Sequence, residues 1–423
     1  MIKTIELFPG VTLRCCRDDR FKQNVLSLQF LRPMCREEAS LNALLPAVLL
    51  RGTEQYPDLQ AITQHLDELY GAAVSTLVRR VGDYQTVGVY CGFMDDRFAL
   101  EGDRVLAPMM AFLEEILLHP VLEEGVFQKG IVESEKKNLI ATIESQLNDK
   151  RAYAMAQLLK TMCREDSFGL PRLGEPEAVA AIEAGPLYAH YRKLLRESPI
   201  QIFYVGSAES DYVESLLKPW LSRLNRDLNA LPAQTAFQMC EGSDGEETME
   251  VAQGKLCMGF TTPITNRCPE FPAMQLMNTI FGAGMTSKLF MNVREKLSLC
   301  YSVGSGYYGT KGIVTVSAGI DCDKEQLTRE EILRQLEGCK RGDITEAELN
   351  AAKEAVLSSL RATHDSPGAI EGYYATAALS GMNMTPAQYM EAVEAVTLEQ
   401  VVAAAGTLQL HSTYFLKGAS GCN

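Results

Sequence analysis

The sequence predicts an α+β protein of two homologous domains, each a mixed or antiparallel sheet packed with helices. A long-period repeat carries this reading. Strand Val25–Phe30 ends in Phe30-Leu31-Arg32-Pro33, and strand Lys255–Phe260 ends in Phe260-Thr261-Thr262-Pro263, 230 residues later. At the same offset an apolar helix stops at Gly52 in one half and at Gly282 in the other. A slipped echo follows in the alternating strands Val87–Asp95 and Val314–Asp321, both closed by acidic turns. Two copies at so long a spacing indicate a duplicated domain, since solenoids repeat at shorter periods and in more copies.

Each element has a local reason. The strands alternate apolar and polar residues with period two. After each acidic turn come a helix, a link and a second long helix, at 127–146 in the first half and 346–361 in the second. The stretch 226–248 is polar, Gly-rich and poorly periodic, as linkers are. The predicted division is therefore 1–225, a linker at 226–248, and 249–423. Alternating sheet strands with helices of 15 or more residues give layered α+β architecture.

With 423 residues, 46% hydrophobic and 22% charged, the chain can bury two real cores. A net charge of −14 argues against nucleic acid as a partner. No apolar stretch approaches membrane-span length, so no membrane partner is expected. Met1–Glu6 lacks a charged-then-apolar leader, and the expected location is the cytoplasm. The twelve cysteines contain no Cys-x-x-Cys pair and read as reduced, mostly buried thiols. Gly282-Ala283-Gly284 lacks the residues of a phosphate loop.

Ser40–Leu50 is an apolar helix that runs into Arg51-Gly52-Thr53. This resembles the first catalytic helix of the insulinase/pitrilysin metallopeptidases, in which His-x-x-Glu-His leads through an apolar run into x-Gly-Thr. Counting back from Gly52-Thr53, the two histidines fall on Ala43 and Ala47 and the glutamate on Pro46. None of these can bind zinc or move a proton. The resemblance places the third ligand in the helix that begins near Phe127, where Glu135 fits the leading position and Thr142 falls at the ligand. A Thr hydroxyl is a poor zinc ligand beside Glu, His or Cys. Glu135 itself reads as an exposed helix charge. No metal of its own and no cofactor are expected, and zinc belongs in a partner.

The second half keeps what the first has lost. Phe281-Gly282-Ala283-Gly284 leads through Leu289-Phe290 and Arg294-Glu295-Lys296 to Tyr301, seven residues after the arginine. In the family this Arg and Tyr hold the substrate backbone and polarise the scissile carbonyl opposite the zinc. Arg supplies a permanent cation with several donors and Tyr a phenolic donor. The resemblance also makes Ala73, Val74, Ser75 and Thr76 part of the edge strand to which a peptide adds.

The chain is most similar to short bacterial members without the zinc motif, which pair with a zinc-bearing paralogous sister. What the resemblance implies is a non-catalytic subunit, half of a clamshell, with no peptidase activity alone. It would bind peptide and lend Arg294 and Tyr301 to the sister's site, in peptide maturation or a modification pathway. Two alternatives stand: a peptide-binding or assembly scaffold like the inert members in respiratory complex III, and a homodimer in place of the heteromeric pair.

Overall fold

Residues 2–100, 102–146 and 148–418 are described by a computed structural model. In chain order come strands β1 (Ile2–Phe8), β2 (Val11–Arg17) and β3 (Gln23–Pro33), helices α1 (Arg36–Leu49) and α2 (Leu59–Glu68), and strands β4 (Ala73–Val81) and β5 (Tyr84–Met94). Helix α3 (Leu106–Leu118) and the small ribbon of β6 (Leu122–Glu123) and β7 (Val126–Phe127) follow. Next are helices α4 (Lys129–Ser145), α5 (Lys150–Met162), α6 (Pro176–Ala180) and α7 (Ala184–Glu197), then β8 (Ile200–Gly206) and α8 (Ser210–Leu221). The remainder holds β9 (Asp244–Met249), β10 (Gly254–Thr261), α9 (Phe271–Asn278), β11 (Cys300–Tyr308) and β12 (Ile313–Ile320). Helices α10 (Glu325–Arg341), α11 (Glu346–Ala362), α12 (Pro367–Ser380), α13 (Pro386–Ala395) and α14 (Leu398–Gly406) precede the last strand, β13 (Gln409–Gly418).

The duplication is visible in the sheets. One has the order β4-β5-β3-β8-β2-β1 and the other β11-β12-β10-β13-β9. Position by position the orders match, with β1 added to the first. In both, a single parallel pairing sits at the same place, β2 with β8 and β9 with β13, while the other pairings are antiparallel. The fold is α+β, as the pattern of strands and helices requires.

By their contacts the described residues fall into two compact units. The first holds residues up to 144, 171–233 and 364–376, and the second holds 145–170, 234–363 and those from 377 on. These units differ from the contiguous halves 1–225 and 249–423, which leave most of β9 in the linker and assign two helices differently. Helix α5 belongs with the second sheet and α12, through Thr376, with the first. The last residues of the 226–248 linker are strand: β9 starts at Asp244, with the side chains alternating exposed and half-buried.

In the first unit, strand β3 is buried on both faces. Leu26, Leu28 and Phe30 join Leu44, Val48, Phe112 and Leu187 in the main core. The opposite face carries Val25, which packs with Cys16, Val205 and Ile370 of α12. In the second unit, Leu158 and Ala154 of α5 pack on Cys257, Tyr414 and Leu416. Gly259 allows this approach, because a Cβ there would lie 2.6 Å from Met162 Sδ. Each fully buried leucine such as Leu158 contributes roughly 1.5–3 kcal/mol, which is enough to fix α5 on this sheet.

Ten cysteines are free thiols, seven of them buried. Cys322 departs from the expected pattern by being disulfide-bonded. Cys422 lies outside the described residues. No helix among the described residues is long and apolar enough to cross a membrane.

Candidate functional site

The region matching the zinc helix has become packing. Ala43 and Pro46 are buried in α1 and Ala47 is half-buried. Pro46 has no N–H to give the helix, and its ring lines a small apolar void with Phe30, Val87, Tyr191 and Leu194. Thr142 is exposed on α4, its hydroxyl donating to the Asn138 carbonyl one turn back at 2.8 Å. None of the four offers a strong zinc ligand. Among the described residues no group of three or more His, Cys, Asp or Glu could hold a metal ion.

Glu135 differs from its sequence reading. It is buried, at 6% exposure, and Arg51 donates to it at 2.6 Å, with Asn138 adding a bond at 3.2 Å. Eighty-four positions separate the pair, so no local charge pattern could reveal it. The Gly-Thr turn beyond Arg51 survives for structural reasons. A Cβ on Gly52 would lie 2.6 Å from the Pro57 carbonyl oxygen, and the Thr53 hydroxyl accepts from the Tyr56 N–H at 3.0 Å. The Arg51-Gly52-Thr53 frame thus has a structural role of its own at the end of α1.

Beneath α1 lies a buried polar chain. His190 donates from Nε2 to Asn42 Oδ1 at 2.7 Å, Asn42 donates to Gln85 at 2.8 Å, and Gln85 donates to the Arg172 carbonyl at 2.7 Å. Burial pushes His190 down to about 4 from 6.5. Nearby Glu38 is held down at about 2, hydrogen bonds from Arg32 and Lys193 outweighing the upward push of its burial. Below pH 6.5 the unfolded chain takes up a proton that native His190 refuses until about pH 4, so stability falls as pH drops through that window. The full effect is at most about 3 kcal/mol. A His190→Gln variant is expected to lose this slope. Urea midpoints that fall just as steeply between pH 6.5 and 4 would contradict it.

Strand β4 ends the first sheet and pairs with β5. Ala73, Ser75 and Thr76 are exposed and Val74 is half-buried. This is an open sheet edge of the kind that can accept a further strand.

Arg294 and Tyr301 lie in the second unit. The chain there forms two π-helical segments, Thr279–Ala283 and Leu289–Lys296, a rare conformation that clusters at functional sites. Arg294 sits 4.6 Å over the Phe290 ring and 3.4 Å from Glu295, with its side chain 40% exposed. The second π-helical segment packs against β11, the end strand of that sheet. Register on β12 slips between Cys300 and Ser302, so Tyr301 is the extra residue of a bulge. Bulges re-aim side chains, and Tyr301 is 56% exposed between buried Cys300 and the sheet. Its hydroxyl donates to Asp321 at 3.0 Å. Sequence reading noted Asp321 only as an acidic turn closing a strand; that turn was the available signal.

Comparison with known proteins bears on the fold and the family. Residues 181–356 match the peptidase M16 inactive domain. The chain is 29% identical over 414 residues to the probable inactive metalloprotease YmfF of Bacillus subtilis, covering 98% of this chain and 97% of that one. Its fold matches the crystal structure of a conserved protein from Enterococcus faecalis with a TM-score of 0.90, 28% identity and 99% of each chain covered. A peptidase M16 inactive domain from Pseudomonas fluorescens has the same fold, with a TM-score of 0.81 at 18% identity over 100% of this chain and 99% of that one. The chain is thus similar to the M16, or insulinase/pitrilysin-type, peptidases: residues 181–356 match that family's inactive domain, and Ala43, Pro46 and Ala47 stand where the resemblance places His-x-x-Glu-His.

Proposed function

We propose that the chain is the non-catalytic subunit of a cytoplasmic zinc endopeptidase. It binds peptide and pairs with a zinc-bearing sister chain, to which it supplies Arg294 and Tyr301. One contrast carries the reading. The zinc positions hold Ala43, Pro46, Ala47 and Thr142, whereas Arg294 and Tyr301 remain, half-exposed and exposed, on a π-helical turn and a bulge. A protein that only packed would have no use for both. Arg294 offers donors and a permanent charge to a peptide carbonyl, and the open edge at Ala73–Thr76 suits backbone pairing with an extended peptide.

The test is co-expression with the sister paralogue and a peptidase assay on the complex. The isolated chain is expected to bind no stoichiometric zinc and to cleave nothing. In the complex, Arg294→Ala or Tyr301→Phe is expected to leave assembly intact and slow cleavage about 10²–10³-fold. Wild-type turnover by an assembled variant complex would favour the scaffold reading instead.

A further inference from the structure

The π-helical segment that carries Arg294 has an anchored face and a presenting face. Lys288 and Asn292, four positions apart, make the anchored one. The Lys288 side chain is 10% exposed, and its Nζ lies 2.8 Å from Glu348 Oε1 of α11. Asn292 donates from Nδ2 to Gln335 Oε1 of α10 at 2.8 Å, and Gln335 donates in turn to buried Glu331 at 2.6 Å. Phe290 and Arg294 are also four apart but two positions out of step with the first pair, so they lie on a different face. The turn that holds Arg294 is wide, the Leu297 N–H reaching back five residues to the Asn292 carbonyl at 3.1 Å.

On the presenting face an aromatic ring supports the guanidinium. Arg294 Cζ stands 4.6 Å over the centre of the half-buried Phe290 ring. Its ion partner Glu295 is 51% exposed and 3.4 Å away, a pair that water screens and that fixes little. A planar guanidinium carries its N–H groups in its own plane. The ring therefore takes one flat face and leaves the donors at the rim. It also removes part of the rotamer freedom that a long side chain keeps in water. A cation that stabilises charge developing on a carbonyl acts best when it is already in place, because nothing then has to reorganise during the reaction.

We propose that Phe290 is the positioning residue of Arg294. Its ring is the platform that aims the rim of the guanidinium at a carbonyl of the bound peptide, on a segment pinned to α10 and α11 by Asn292 and Lys288. Phe290 acts only through the arginine. This rests on the role proposed above for Arg294.

Two measurements test it. The first is a double-mutant cycle in the complex with the zinc-bearing sister, assayed with an internally quenched decapeptide. Phe290→Leu is expected to lower kcat about fivefold at unchanged KM, since the interaction lost belongs to the transition state. Leucine keeps an apolar side chain at this half-buried position, so the fold is expected to hold. Phe290→Tyr keeps the ring and should keep the wild-type kcat. In an Arg294→Ala background Phe290→Leu should have no further effect. A wild-type kcat in Phe290→Leu, an equal loss in Phe290→Tyr, or the same fivefold loss in the Arg294→Ala background overturns the proposal, while slow turnover of Arg294→Ala still upholds the subunit's role. Wild-type turnover in Arg294→Ala overturns role and proposal together. The second measurement needs the full chain alone. Proton NMR should show the Arg294 side-chain signals, assigned by their loss in Arg294→Lys, shifted upfield by the ring in wild type and in Phe290→Tyr, and at ordinary positions in Phe290→Leu. Signals that do not move in Phe290→Leu overturn the proposal independently.

Discussion

Lys311→Met is expected to cost about 3–5 kcal/mol of stability, read as a lower urea midpoint at unchanged slope. Lys311 lies in the turn between β11 and β12, with its side chain fully buried, and its Nζ sits 3.0 Å from Asp166 Oδ1, itself 2% exposed. The ammonium also donates to the Thr235 carbonyl at 3.2 Å. Asp166 accepts from the N–H groups of Phe168 at 2.8 Å and Gln238 at 3.0 Å. Without the lysine, those neutral donors must hold a buried carboxylate by themselves. Adding Asp166→Asn to Lys311→Met should recover part of the loss, since it removes the orphaned charge. A single variant within about 1 kcal/mol of wild type would show that water reaches Asp166 in the native state.

Arg79→Ala is the second large effect, expected to cost about 3 kcal/mol or more. Glu371 of α12 is fully buried and receives both Arg79 Nη atoms at 2.9 Å, Ser27 Oγ at 2.7 Å and Gln29 Nε2 at 3.0 Å. Arg79 is 34% exposed, so water compensates the arginine more readily than the glutamate, and removing the arginine is the harsher change. Hydrogen exchange should rise first in 367–376, the part of α12 that Glu371 holds. The pair Arg79→Met with Glu371→Leu should regain stability, because a packed apolar pair can replace a buried ion pair. Exchange in 367–376 that matches wild type in Arg79→Ala would refute the role given to this bond.

Much of this was written in the sequence. The 230-residue repeat foresaw two sheets with one strand order, because strand spacing and Pro turns are local signals. The edge position of β4 came from the family resemblance and not from the repeat. Other features needed three dimensions. Amphipathicity says that α5 and α12 each have an apolar face and is silent on which sheet receives it. Arg51 and Glu135 meet across 84 positions. Strand β9 has the polar composition of a linker, and its pairing with β13 makes it a strand. The π-helical turns around Arg294 leave no mark on apolar periodicity. At the site itself, the family resemblance pointed to Arg294 and Tyr301, whereas the bond from Tyr301 to Asp321, twenty positions on, needed the folded sheet.

The place of α12 sets a schedule for making the protein. β8, the last strand of the first sheet, is complete at Gly206, yet the helix that covers one face of that sheet is not synthesised until Thr376. At about 5–20 residues per second the interval is roughly 10–30 s. During that wait the uncovered face of β3 must stand in water on the ribosome. Its composition suits the delay: Ser27 and Gln29, buried in the finished protein, can be hydrated until Glu371 arrives to bind them.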